Sequence, residues 1–154
     1  MAKERRLPLL VHTGYSWPTA WGDPENMYNL MAAGVKIGLC HSGWPREGGG
    51  LLMARTYRNC YFDMCWTPLL SPTLGRHILA SAIDMVPMNK IIIGTDCGSA
   101  ECFFGTARLV RQVLFDVLHE KVQSGQFSEE VARTLARAIL YDNACEFFGV
   151  PKRP

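Results

Sequence analysis

At 154 residues and 48% hydrophobic composition, the chain holds one domain's worth of sequence and can bury a sizeable core. Its 16 basic and 14 acidic residues leave a formal charge of +2, too small and too dispersed to argue for nucleic acid or an anionic membrane surface. No stretch approaches the roughly 18 apolar residues of a membrane span, so a soluble, cytoplasmic protein is expected.

The chain opens with Lys3, Arg5 and Arg6 ahead of an apolar run at 7–11. The order is that of a signal peptide, but the run falls short of the roughly 7 residues such a segment needs and Pro8 interrupts it, so it reads as a helix end entering a strand. LLVHTG is the first predicted strand and ends at His12; Trp17, Pro18 and Trp21 then suit a rigid aromatic lid. Asp23-Pro24 places a capping carboxylate and an N1 proline before ENMYNLMAA, and Gly34 supplies the stop. VKIGLCHSG is the second strand, ending at His41. The run Gly48, Gly49 and Gly50 lacks a Gly-x-Gly-x-x-Gly pattern or a Walker-type lysine and reads as a flexible loop before a weak helical segment at 51–57. NCYFDMCW is the third strand, ending at Asp63. Ser71-Pro72 caps TLGRHILASAIDMV, which Pro87 terminates, and KIIIGTDCG is the fourth strand, with an edge at 91–94 and its end at Asp96. Beyond it, Val110, Val113, Leu114, Val117 and Leu118 recur at helical spacing within 107–122. A second helix starts at Ser128, with Glu129 and Glu130 in its first turn, and runs through Leu140; a short turn at 143–148 ends at Gly149. No repeat, low-complexity tract or boundary divides 1–154, which reads as a single α/β domain.

The four strand ends are spaced 29, 22 and 33 residues apart, near the roughly 30 of one βα unit. Parallel βα arrays place their sites at the carboxyl ends of the strands. Imidazole and carboxylate there are the donors a divalent ion needs, and a neighbouring group can move a proton. His12, His41 and Asp96 are the candidates, with a structural histidine or a helix-capping aspartate as the plain alternative for each. Asp63 and Trp66 close the third strand and are candidates to meet substrate, although Asp63 suits bonds to loop amides equally well. Arg46, Glu47 and Glu101 are assigned to loops on the same face, against an alternative of solvated charge. His77 and His119 fall inside helices, away from the strand ends.

The six cysteines, Cys40, Cys60, Cys65, Cys97, Cys102 and Cys145, contain no Cys-x-x-Cys. The pairs 60/65 and 97/102 have four intervening residues, a spacing that occurs at zinc sites; buried free thiols in a reducing compartment are the preferred reading.

LPLLVHTG, CHSGWPRE, NCYFDMCW, GTDCGSAECFFG and ILYDNACEFFGV, in this order, resemble the C-terminal half of the amidohydrolase superfamily. The nearest likeness is to the amidohydrolase-2 branch, which includes decarboxylases, uronate-isomerase-like proteins and an amidohydrolase-like domain fused to glutamine synthetase. The resemblance implies half of a (β/α)8 TIM-type barrel, strands 5 to 8, plus C-terminal helices. It implies His12 as the strand-5 metal ligand, His41 as the strand-6 histidine that assists catalysis, and Asp96 as the strand-8 aspartate that binds metal or acts as base. Arg46, Asp63, Trp66 and Glu101 would then face a small-molecule substrate. The metal would be divalent, zinc first, with manganese or iron as alternatives.

The chain departs from that pattern in one respect: the family's first strand ends in His-x-His, and no two of His12, His41, His77 and His119 are two apart. A full barrel takes typically ~250 residues, so a truncated half-barrel is expected, with two open sheet edges that pair copies into a homodimer or higher homo-oligomer. Two functions follow: a metal-dependent hydrolase, or related decarboxylase or isomerase, acting on a polar carbonyl or carboxylate substrate; or a non-catalytic remnant without tightly bound metal. An open flavodoxin-like sheet ranks lower, because HTGYSWPTAWGD lacks a phosphate-binding loop.

Overall fold

A computed structural model describes residues 1–152. Four parallel strands, β1 (Leu9–His12), β2 (Ile37–Cys40), β3 (Cys60–Asp63) and β4 (Ile91–Ile92), pair in chain order. The register sets His12 beside Cys40 and Asp63 beside Ile92, so the polar strand ends share one rim. β4 stops two residues short of the expected Gly94. The Asp63 carboxylate takes the Gly94 amide (3.1 Å), which draws the chain out of the ladder.

The helices between the strands are α1 (Tyr28–Ala32), α2 (Glu47–Thr56), α3 (Thr67–Leu70) and α4 (Pro72–Met85). A 3-10 turn, Pro24–Met27, precedes α1, and the Asp23 side chain accepts from the Glu25 amide as the Asp-Pro pair predicts. Ser71 caps α4 through the Leu74 amide. The glycine run is a correction: it lies in the first half of α2, where Gly50 fits tightly under the Phe62 ring, from which a Cβ would sit 3.2 Å. Gly50 lets this helix lie close to the sheet.

After β4 come the long α5 (Ala100–Gln123), then α6 (Glu129–Arg137), a π-helical segment (Ala138–Asp142) and α7 (Asn143–Phe148). α5 begins earlier than its apolar periodicity shows, because Ser99 caps it by accepting from the Cys102 amide. Gly149 ends α7 in the left-handed conformation (φ 69).

Alternation along the strands separates the two faces of the sheet. Ile37, Leu39, Cys60, Phe62 and Ile91 point toward the helices, where Leu51, Ile78, Leu79, Val113, Leu114, Val117 and Ile139 complete one core cluster. The opposite face carries Leu10, His12, Gly38, Cys40, Tyr61, Asp63 and Ile92. Phe147 of α7 is fully buried there against Tyr61 and Ile92. Its neighbourhood is fixed by Lys36, which bonds the Glu146 and Phe147 carbonyls (3.1 and 3.2 Å), and by the Tyr61 hydroxyl on Glu146 (3.1 Å). No helix among the described residues is long and apolar enough to cross a membrane.

Candidate active site

The loops that leave the four strands share an unusual backbone. Tyr15, His41, Trp66 and Asp96, one after each strand, have positive φ values of 44, 61, 66 and 51. Non-glycine residues in this region cost roughly 1–3 kcal/mol each and persist where surrounding contacts hold them, often at functional sites. The contacts are visible. Tyr15 donates its amide to the Trp44 carbonyl (2.7 Å), and Gly14 permits the approach, since a Cβ there would lie 2.6 Å from the Trp44 backbone.

These turns aim side chains at one another. His41 Nε2 lies 3.0 Å from His12 Nδ1 and 3.7 Å from an Asp96 carboxylate oxygen. His41 Nδ1 faces the Cys65 carbonyl at 3.2 Å. A carbonyl only accepts, so Nδ1 of His41 carries the proton and Nε2 is a lone pair, to which His12 Nδ1–H donates. In the neutral tautomer that makes this bond, His12 carries its lone pair at Nε2, where a cation can bind. Burial lowers the His41 pKa and His12 lowers it further, while the Cys65 carbonyl and Asp96 act in the opposite sense. The buried imidazole is therefore neutral near pH 7. His12 and Asp96 are exposed, His41 is 4% exposed, and together they place two solvent-facing donors around a shielded third.

An aromatic wall surrounds His41. The Trp66 ring lies 5.5 Å and the Tyr15 ring 6.1 Å from it, and Tyr15 packs on Trp44 at 5.2 Å. Burial raises the Tyr15 pKa and the charge of Glu47 adds to this, while the Thr67 side chain opposes it.

Beneath the rim, Asp63 is buried. Its Oδ1 accepts the amides of Cys65 (2.9 Å) and Gly94 (3.1 Å), and Oδ2 meets the Cys40 thiol (3.8 Å). Burial raises its pKa despite those amide bonds. These contacts are the loop-amide role weighed for Asp63 in the sequence, and they clamp the ends of β3 and β4 together.

The remaining assignments divide. Trp66 joins the constellation. Arg46 precedes α2 and pairs with Asp23 at 2.9 Å. Glu101 does not lie in a loop, as expected, but in the exposed first turn of α5, where its own amide and Ser99 hold its pKa below the usual carboxylate value. The Ser99 cap draws it into the helix. Trp17 and Trp21 are exposed at 86% and 76%, so the two rings stand out in solvent. A groove of about 510 Å³ between α5 and α6, lined by Leu114, Phe115, Leu118 and Ala136, holds none of the strand-end residues. Tyr15 is not singled out by the sequence, and Cys65 is singled out there only for its spacing to Cys60, not for a place at this site. The available signal was position, since each lies within three residues of a chosen one.

The amidohydrolase family model matches residues 1–150. This chain belongs to the amidohydrolase family. Among curated relatives, Protein fluG of Emericella nidulans is 29% identical over 156 residues, a match covering 96% of this chain and 18% of that protein. Among solved structures, a protein from Lactobacillus casei described as a metal-dependent hydrolase superposes with a TM-score of 0.81 at 23% identity, over 95% of this chain and 40% of its own. Uronate isomerase from Thermotoga maritima superposes with a TM-score of 0.68 at 24% identity, over 84% and 29%. This amidohydrolase chain thus spans less than half of each of these three proteins. At these identities the superpositions establish the α/β fold.

Proposed function

We propose that this amidohydrolase chain is one folding unit, the second half of a (β/α)8 barrel, whose rim binds a divalent metal through His12 and Asp96. The activity is hydrolysis, or a related decarboxylation or isomerisation, of a small polar carbonyl or carboxylate substrate. The observation that supports it is that His41 lies within hydrogen-bond reach of His12, at the end of β1, and within ion-pair reach of Asp96, with His41 and Asp96 both on left-handed backbone. The donor set suits such an ion: His12 offers a lone pair at Nε2 and Asp96 an exposed carboxylate, the nitrogen and oxygen ligands of zinc, manganese or iron sites. A bound metal would polarise a carbonyl and acidify water. His41, neutral and oriented by the Cys65 carbonyl, accepts a proton at Nε2 when the His12 Nδ1–H bond there opens, and the Asp96 carboxylate stabilises the imidazolium that results. Trp66 and Tyr15 exclude water from one side.

The test is zinc titration by calorimetry on the purified chain, with His12→Ala and Asp96→Ala as controls. Stoichiometric binding lost in both variants, with unfolding midpoints unchanged, is the expected result. Binding that survives both substitutions overturns the metal assignment.

A second reading, self-association, is favoured by the apolar surface along the β1 edge. Leu7 and Leu10 are 53% and 49% exposed, and β1 has no neighbour on its outer side among the described residues. Two copies joined edge to edge would form a homodimer and cover this surface. Sedimentation reads the outcome directly, and a monodisperse monomer rejects it.

A further inference from the structure

Two thiols lie next to Asp96 and play no part in the proposed chemistry. Cys97 follows Asp96, and Cys102 sits in the first turn of α5. The Ser99 cap folds the intervening residues back so that the two Sγ atoms are 2.9 Å apart. A disulfide of about 2.0 Å needs them to close by only about 0.9 Å. The buried Thr106 hydroxyl holds the pair from below, at 3.2 Å from Cys97 and 3.9 Å from Cys102. Both cysteines are partly exposed, whereas Cys60, Cys65 and Cys145 are buried. This corrects the expectation that all six would be buried thiols.

We propose that Cys97 and Cys102 are a redox-modification site, at which a peroxide converts the two thiols to an intramolecular disulfide tying the Asp96 loop to α5. In the first step a thiolate attacks the peroxide oxygen, the O–O bond breaks, and sulfenic acid and one water form. In the second the other thiolate displaces hydroxide from the sulfenic sulfur, which leaves as a second water when protonated. The two thiols lose two electrons and hydrogen peroxide gains them; a dithiol reductant reverses the bond. Because Asp96 immediately precedes Cys97, the closed ring restrains the backbone that carries its carboxylate.

Peptide mapping tests this on the intact chain treated with hydrogen peroxide, alkylated, and cut after glutamate. Cleavage at Glu101 separates the two cysteines, so the flanking fragments stay joined only through a disulfide. Joined fragments that part on adding dithiothreitol are expected in the wild type, and are absent from Cys97→Ser and Cys102→Ser. Full alkylation of both residues after peroxide, separate overoxidation of each, or linkage of either to another cysteine overturns the proposal, and the wild type alone suffices to show any of these. The readout is sulfur chemistry, so it stands or falls independently of whether His12 and Asp96 take a metal.

Discussion

The helix-covered face of the sheet and the face that carries His12 come from alternating residues of the same strands, yet they are built to opposite specifications. On the first, Ile37, Leu39, Phe62 and Ile91 are completely buried. On the second, Leu10 and His12 are exposed, Asp63 is buried with two amides on its carboxyl, and Phe147 supplies the aromatic cover. Stability therefore concentrates on one side and chemistry on the other. The largest expected effect follows: Phe62→Ala costs about 4 kcal/mol in urea denaturation, through lost transfer energy and a cavity, whereas Leu10→Ala, at half-exposure, costs under about 1 kcal/mol. Equal losses at the two positions would break the comparison.

Phe147→Ala sharpens it, because this side chain is fully buried on the otherwise open face. Its cluster is small, Tyr61 and Ile92 with Ala144 beside them, so a cost of about 3 kcal/mol is expected in the same measurement. A value near zero would mean that α7 contributes nothing to holding the sheet.

Two groups on the rim side, Asp63 and His41, have shifted pKa values of opposite sign in their effect on stability. Burial raises the Asp63 pKa, so the folded state holds that proton more tightly than the unfolded chain does. Its contribution is full below the unfolded pKa and is lost as pH rises through the folded one, from roughly pH 4 upward. Asp63→Asn keeps an Oδ1 for both amides and removes this slope, so the variant gains on the wild type as pH rises. Burial lowers the His41 pKa, and the sign reverses: its contribution is full above roughly pH 6.5 and is lost as pH falls through the folded value. His41→Asn should flatten that acid limb. Parallel stability curves for the wild type and both variants would refute the two assignments.

Much of this was legible in the chain. Short apolar runs ending at His12, His41, Asp63 and Asp96 marked the strands and brought the correct ends to one rim. Asp23-Pro24 and Ser71-Pro72 marked helix starts because a capping oxygen and a preset φ act within three residues. What escaped depended on contacts distant in sequence. Gly48, Gly49 and Gly50 suggest a loop when taken locally, but all three lie in α2, and packing of Gly50 against Phe62 makes smallness an asset there. Glu101 was drawn from loop to helix by the Ser99 cap. The imidazole pair at 3.0 Å joins residues 29 apart, and no periodicity encodes which nitrogen carries a proton.

The smallest predicted effects lie within the helix layer. Ser71 and Ser128 cap α4 and α6 by the same bond, to the amide three residues on. Replacing such a cap by alanine typically costs about 1 kcal/mol. The helices differ in what they bury: α4 sends Ile78, Leu79 and Ala82 into the core, whereas α6 buries Leu135 alone. A turn that packs on the core cannot open without global unfolding, while an exposed one frays by itself. Ser71→Ala should therefore lower global stability by the full amount in urea denaturation. Ser128→Ala should leave the global value within about 0.5 kcal/mol and instead speed hydrogen exchange at the first amides of α6. Equal global losses would show that α6 belongs to the same cooperative unit as the core.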